Sequence, residues 1–135
     1  MKHKRIIFRF LSIVVILFIC NNTFAQQEIS DQITSAIRNG NAAGLANYFS
    51  NTVDLEAGST DGNFSKKQAE IIIKDFFASN KVSSFSVNHN GSSNDGSKYI
   101  IGSYKSTNNK KFRVYVLLKK MDDKLLITQL QFEEE

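Results

Sequence analysis

The chain has 135 residues and a formal charge of +4, and this positive excess comes entirely from its first 25 residues. That segment holds four of the seventeen basic residues and none of the thirteen acidic ones, so residues 26–135 are formally neutral. This balance excludes the broad basic surface with which proteins bind nucleic acid or anionic membranes. We predict one domain over residues 26–135, a length that can bury a substantial core.

The first 25 residues have the three parts of a secretory signal peptide. Basic residues precede an apolar run from Phe10 to Ile19, and a cleavage site with a small residue follows and ends at Ala25. The apolar run has about half of the ~20 residues that a membrane-spanning helix needs, so we predict no stable membrane anchor. We therefore expect cleavage after Ala25 and a mature protein that works in the periplasm or outside the cell.

Cys20 leaves one alternative, a lipoprotein signal in which this cysteine becomes the acylated first residue. Such signals normally place a small residue before the cysteine, whereas Ile19 is bulky. Cleavage after Ala25 removes the only cysteine of the chain. The mature domain then has no disulfide, and its stability must come from packing.

Two short helices are predicted at the start of the domain. Asn39-Gly40 is suited to ending the first helix in a left-handed turn, and Asn41 can cap the second. The apolar side of the first helix comprises Ile29, Ile33, Ala36 and Ile37. The apolar side of the second comprises Leu45, Tyr48 and Phe49.

The pattern changes to a period of two between Thr52 and Ala57, which predicts a half-buried strand with Asp54 pointing away from the core. The run from Gly58 to Asn63 has turn composition, with a short second strand as an option near Asn63. Ser65 and Gln68 form the capping box of a third, longer helix. Its apolar stripe comprises Ala69, Ile72, Ile73, Phe76 and Phe77.

Only strand patterns remain after Asn80, and the short polar turns between them predict an antiparallel meander. The predicted strands cover residues 82–89, 98–105, 111–120 and 124–132. The expected fold class is α+β, with two or three N-terminal helices packed on one face of a curved antiparallel sheet.

The order of these elements resembles the nuclear transport factor 2-like, or cystatin-like cone, superfamily. The similarity lies in three segments: NGNAAGLANYFSNTVDLE, the helix FSKKQAEIIIKDFF and the terminal hairpin RVYVLLKKMDDKLLITQLQFEE. More narrowly, the chain resembles an uncharacterised family of small exported bacterial domains, domain of unknown function 4783. The resemblance implies a fold and an exported location, but no activity.

Few side chains of the predicted domain suit catalysis or metal binding. The predicted domain has one histidine, His89, and no cysteine, so we predict no metal site and no cofactor. Asp122 and Asp123 lack the spaced ligands and the bend glycine of a calcium loop. We interpret His89 as the end of a strand and the aspartate pair as a turn.

The resemblance also implies an alternative, because the superfamily includes isomerases and dehydratases that use a carboxylate or His-Asp pair inside the cone. No catalytic residue is predicted here. Alternation along its strand points Asp54 away from the core, and the apolar face of the central strand offers no acid or base. We therefore expect a non-catalytic binding or interaction module. The enzyme alternative requires an ionisable side chain in the cavity, and the candidates are Asp54, Asp75, His89 and Arg113.

The candidate ligand-binding residues are aromatic. Proteins of this fold often leave a cavity between the third helix and the sheet, which phenylalanines could line for a small apolar ligand. The other interpretation is that the same rings fill this space as a solid core, since an empty apolar cavity is destabilising. The six candidates are Phe49, Phe76, Phe77, Phe85, Phe112 and Phe132.

The outer side of the central strand is the candidate homodimer interface. Phe112, Val114, Val116 and Leu118 face the helices, which leaves Arg113, Tyr115 and Leu117 on the outer side. Tyr and Arg are typical anchors of interfaces. Neighbouring strands could add Tyr99 or Tyr104, and Leu125 with Ile127, depending on a register that the sequence leaves open. In the alternative, Lys and Arg stems shield this face in a monomer.

Overall fold

The structure, a computed structural model, describes residues 27–135, and the predicted signal peptide lies outside the described residues. Residues Gln32–Glu135 form one compact unit. The helices are α1 (27–38), α2 (Ala42–Ala46) and α3 (Lys66–Ser79). The strands are β1 (Phe49–Ala57), β2 (Thr60–Ser65), β3 (Val82–Ser92), β4 (Lys98–Ser106), β5 (Lys111–Met121) and β6 (Lys124–Glu134). None of the helices in the described part is long and apolar enough to cross a membrane.

The six strands form one sheet in the order β2-β1-β6-β5-β4-β3. All neighbouring pairs are antiparallel except β1 and β6, which run parallel. The predicted meander is present as β3 to β6. Its last strand, β6, lies beside β1, the first strand of the domain. This arrangement confirms the predicted α+β architecture. The parallel contact was not predicted, because it joins strands at opposite ends of the domain and leaves no local signal.

The turn between α1 and α2 forms as predicted. Gly40 has φ of +61°, the left-handed conformation that glycine adopts without strain. The Asn41 side chain accepts a hydrogen bond from the Gly44 amide at 2.9 Å, so Asn41 is the N-cap of α2. The helix is shorter than predicted, however, because Phe49 already belongs to β1 and pairs with Ile127 of β6. Strand pairing thus takes up residues whose spacing also suited a helix.

The predicted turn from Gly58 to Asn63 is correct only at its first two positions. Gly58, with φ of +62°, and Ser59 form the turn, and Ala57 pairs with Thr60 across it. The predicted short second strand is therefore a full strand, β2. Its pairing with β1 satisfies backbone groups that a long loop would leave to solvent, which outweighs the turn-forming composition.

Helix α3 begins at the predicted capping box. The Gln68 amide donates to Ser65 Oγ at 3.3 Å, and the Ser65 amide donates to Gln68 Oε1 at 3.2 Å. Ile72 is only half-buried, because it faces an open cleft, whereas the other members of the predicted stripe are buried. The buried members are Ala69, Ile73, Phe76 and Phe77.

The strand register decides which side chains face the helices. Tyr104 is opposite Phe112 and fully buried, whereas Tyr99 is opposite Leu117 on the outer face. A register shift in the β5–β6 pair follows Leu117. Leu125 and Ile127 are buried, so the expectation that they could join the outer face is wrong. Leu126 is there instead, because β6 alternates sides along its length.

Candidate functional site

Five aromatic rings contact one another beneath α3. We call this set the aromatic cluster: Phe76, Phe77, Tyr104, Phe112 and Phe132. Phe76 lies in its centre, with its ring centroid 4.5 Å from that of Phe132 and 5.1 Å from that of Phe112. Four of the six predicted ligand-binding phenylalanines are therefore brought together. Phe49 and Phe85 are buried outside the cluster, and Phe85 lies against Gly102. The binding of an apolar ligand by these six side chains stays a prediction.

Tyr104 links the aromatic cluster to the end of α3. Its hydroxyl donates a hydrogen bond to the carbonyl oxygen of Asn80, and burial raises the pKa of Tyr104 to about 12. The Asn108 side-chain amide donates to the carbonyl of Ser79 at 3.2 Å and to Asn80 Oδ1 at 3.3 Å. The last residues of α3 are thus held in place by β4 and by the loop that follows it.

An open cleft of about 310 Å³ lies between this end of α3 and the turn of the β1–β2 hairpin. Its helical wall comprises Ile72, Asp75, Phe76, Ser79 and Asn80. Its hairpin wall comprises Ala57, Gly58, Ser59 and Thr60. Phe76 is the one of the six predicted phenylalanines that lines this cleft. It therefore connects the cleft to the aromatic cluster behind it.

The lining of the cleft combines three apolar side chains with five polar ones. Ala57, Ile72 and Phe76 supply the apolar surface, and hydroxyl and amide groups surround it. Asp75 is exposed, and among residues 27–135 it is the only ionisable one in the lining. The single ion pair found in residues 27–135 is elsewhere, between Lys110 and Glu134 at 3.3 Å. No other side chain in the described part of the chain forms an ion pair with the Asp75 carboxylate.

Asp75 is thus the one of the four sequence candidates that lies in the cleft. Asp54 lies on β1 opposite Gln129, and His89 is exposed on β3 opposite Ile101. Arg113 is exposed on β5. Of the residues that the structure describes, Asp75 alone could supply an ionisable group for acid–base chemistry of the isomerase kind in this cleft.

Three aspartates outside the cleft lie in turns, and two of them, Asp122 and Asp123, are those considered above for calcium binding. Asp122 and Asp123 connect β5 and β6 with φ of 48° and 63°, left-handed values that aspartate tolerates better than most residues. Asp95, between β3 and β4, accepts hydrogen bonds from the Ser97 hydroxyl at 2.6 Å and the Ser97 amide at 3.0 Å, which lower its pKa. Within the described part of the chain, no three His, Cys, Asp or Glu side chains are grouped to hold a metal ion.

Sequence reasoning missed most of the cleft. Ser59 and Thr60 were interpreted as part of a longer turn, and Ser79 and Asn80 as the end of a helix. One local signal was available, because Asp75 lies near the end of a helix whose last turn contains no basic residue. Nothing local indicates that the β1–β2 turn lies opposite this end.

A curved sheet carrying three helices, with a cleft at the end of the longest, defines a nuclear transport factor 2-like, cystatin-like domain. A structure from Nostoc punctiforme, a domain of unknown function with a cystatin-like fold, is 15% identical, with coverage of 86% of this chain and 78% of that chain and a TM-score of 0.64. An NTF2-like protein of unknown function from Shewanella baltica is 8% identical, with coverage of 84% and 94% and a TM-score of 0.61. At these identities the likeness shows the fold alone.

Within this class, the chain belongs to the family described as domain of unknown function DUF4783, which matches residues 30–133. The structure of a DUF4783 family protein from Bacteroides ovatus is 33% identical, with coverage of 77% of this chain and 93% of that chain and a TM-score of 0.72. Comparison with curated proteins finds no match. Both levels of the predicted resemblance are confirmed.

Proposed function

We propose that this domain is a non-catalytic binding module that holds a small ligand in the cleft between α3 and the β1–β2 turn. The observation that carries the proposal is the lining of the cleft, in which three apolar side chains lie among hydroxyl, amide and carboxylate groups. Small-molecule sites are concave, have volumes that begin at about 300 Å³ and use polar groups to orient the ligand; this cleft has such a volume and a larger share of polar groups than most. The ligand is therefore small and amphiphilic.

The walls of the cleft are held rigidly, which favours binding. Phe76 is fixed from behind by the aromatic cluster, and Asn80 is tied to Tyr104 and Asn108. On the opposite wall, pairing of Ala57 with Thr60 closes a two-residue turn. A preformed site avoids the entropy that a flexible one loses when it orders around a ligand.

Ser79→Trp should abolish ligand binding in the cleft, because the indole ring would occupy the space between the two walls. The measurement is a titration of the ¹⁵N-labelled protein with a library of small amphiphilic compounds, following the amide signals of Gly58, Ser59 and Asn80. The matched control is Ser35→Trp, an exposed position on α1. Compounds that shift signals elsewhere, or that bind Ser79→Trp equally well, would contradict the proposal.

We also propose a homodimer through the outer face of the sheet. The outer patch consists of Tyr99, Ile101, Tyr115, Leu117 and Leu126, and all five side chains are half-buried. Tyr99 lies opposite Leu117, and Ile101 lies opposite Tyr115, so the patch is continuous across β4 and β5. Arg113 is exposed beside it, as at the rim of an interface. The occupant that fits this proposal is a second copy of the chain.

Tyr115→Glu should convert the dimer to a monomer without unfolding it, because a buried carboxylate in the centre of an apolar interface has no partner. Light scattering over a concentration series gives the molecular mass of both proteins. Ile71→Glu, an exposed apolar position on α3, is the control and should leave the dimer intact. A parent protein that is monomeric at high concentration would rule out this interface.

The proposed place of action is the periplasm or the extracellular space, after removal of residues 1–25. The support is the order of basic residues, apolar run and small-residue cleavage site at the start of the chain. We expect the exported protein to begin at Gln26, and intact mass spectrometry measures this directly. A protein that begins at Cys20 with the added mass of acyl chains would show the lipoprotein alternative to be correct.

A further inference from the structure

We infer that the ligand of the cleft carries a positive charge: a primary ammonium or guanidinium group attached to a short apolar body. This inference rests on the proposed function and specifies the chemical class of ligand. It follows from the charge of the cleft, from the orientation of α3 and from the apolar side chains beside Asp75 on that helix.

The first step concerns charge. Asp75 is the only ionisable group in the lining, and it is absent from the one ion pair that the described residues form. Its neighbours three and four positions away on α3 include Ile71, Ile72 and Ser79, and none of them is basic. Lys74 precedes it, but adjacent residues on a helix point about 100° apart. An anionic ligand would therefore meet an unpaired carboxylate.

The second step concerns the helix. Peptide dipoles give the C-terminal end of a helix a partial negative charge, and a cation near the last turn is stabilised by it. The last turn of α3 contains no basic residue, and both Ser79 and Asn80 line the cleft. Lys81 follows them, but it is not part of the lining. Because the carbonyls of Ser79 and Asn80 already accept hydrogen bonds from Asn108 and Tyr104, the helix end adds only a small part to the attraction that the Asp75 carboxylate exerts on a cation.

The third step concerns the ligand's other end. Ile72 lies one helical turn before Asp75 and is half-buried, and Phe76, which follows Asp75, also lines the cleft. An ammonium group beside Asp75 would place a short apolar body against these two side chains. The volume of about 310 Å³ has room for a single ring or a short chain against these side chains.

The test uses three probes that share one ring and differ in the polar group: benzylammonium, benzyl alcohol and benzoate. Affinities are measured by the same amide signals of Gly58, Ser59 and Asn80 in ¹⁵N spectra of the protein. We expect benzylammonium to bind about two- to fivefold more tightly than benzyl alcohol, because Asp75 is exposed, and benzoate to bind most weakly. Asp75→Asn keeps the shape of the side chain and should remove the preference for benzylammonium. Glu70→Gln, a charge change on the same helix outside the lining, should preserve it.

The possible results test the cationic ligand separately from the proposed binding function. Equal affinity for all three probes, or tighter binding of benzoate, overturns the cationic ligand and leaves the binding module standing. A benzylammonium preference that survives Asp75→Asn also overturns it, because the attraction would come from elsewhere. If no probe shifts the cleft signals, the inference fails, and the library titration with Ser79→Trp judges the proposed function separately.

Discussion

Phe77→Ala should destabilise the domain by about 3–5 kcal/mol. Phe77 is buried, and its ring is stacked against Tyr104 with centroids 6.2 Å apart and lies edge-on to Phe132 at 5.9 Å. The Phe77 side chain also lies beneath the α1–α2 turn, since a Cβ added at Gly40 would be 3.9 Å from Phe77 Cβ. Truncation removes packing on all these sides, and the rigid neighbours cannot close the resulting cavity. Urea unfolding followed by circular dichroism measures the loss.

The matched control is Ile71→Ala on the same helix. Ile71 is 53% exposed, so removing its side chain should change the free energy of unfolding by no more than about 0.5 kcal/mol. A small domain has a total stability of only about 5–15 kcal/mol, so the difference between the two variants should be unmistakable. Similar small losses for both would mean that the aromatic cluster is not packed as described.

Gly102→Ala should also destabilise the domain, by about 1–3 kcal/mol, although only one methyl group is added. The new Cβ would lie 2.6 Å from Phe85 Cε2 and 2.7 Å from the Ser86 carbonyl oxygen. Phe85 is buried, and the Ser86 atom in contact is a main-chain oxygen of β3, so neither can move freely. Thermal unfolding should show a melting temperature lower by roughly 5–15 °C.

A double-mutant cycle tests the cause of this loss. Replacing Phe85 by Ala removes the ring that the new methyl group would strike, while the contact with the Ser86 carbonyl remains. Gly102→Ala should therefore be less destabilising in the Phe85→Ala background than in the parent protein. An equal loss in both backgrounds would show that the Phe85 ring is not the obstacle.

The elements of this domain could be predicted wherever the signal was local. The Ser65–Gln68 capping box and the i, i+3, i+4 stripe containing Phe76 and Phe77 predicted α3, because helix caps and faces are set within a few residues. Alternation along β5 likewise separated Phe112 and Val114 from the outward-facing Tyr115. These patterns, with the meander, were sufficient for the fold class and for the family resemblance.

The predicted ends of helices and strands were wrong where strand pairing competed with a local preference. Phe49 suited the side of a short helix, yet it pairs with Ile127 from the far end of the chain. Thr60 suited a turn, yet it pairs with Ala57. In both cases the backbone hydrogen bonds of a sheet outweigh the local preference, and the partner strand cannot be recognised from the residues themselves.

The sequence by itself determined the α+β class, the capped helix α3, the inner and outer sides of β5 and the neutrality of residues 26–135. Only the tertiary structure decided that Tyr104 is buried and that Tyr99 joins the outer patch, because a shift of one residue in register exchanges the two faces of a strand. It also decided the cleft, since Asp75 and the Gly58–Ser59 turn become neighbours only when α3 packs beside the β1–β2 hairpin. The site depends on contacts between segments that are distant in sequence, and such contacts leave no local pattern.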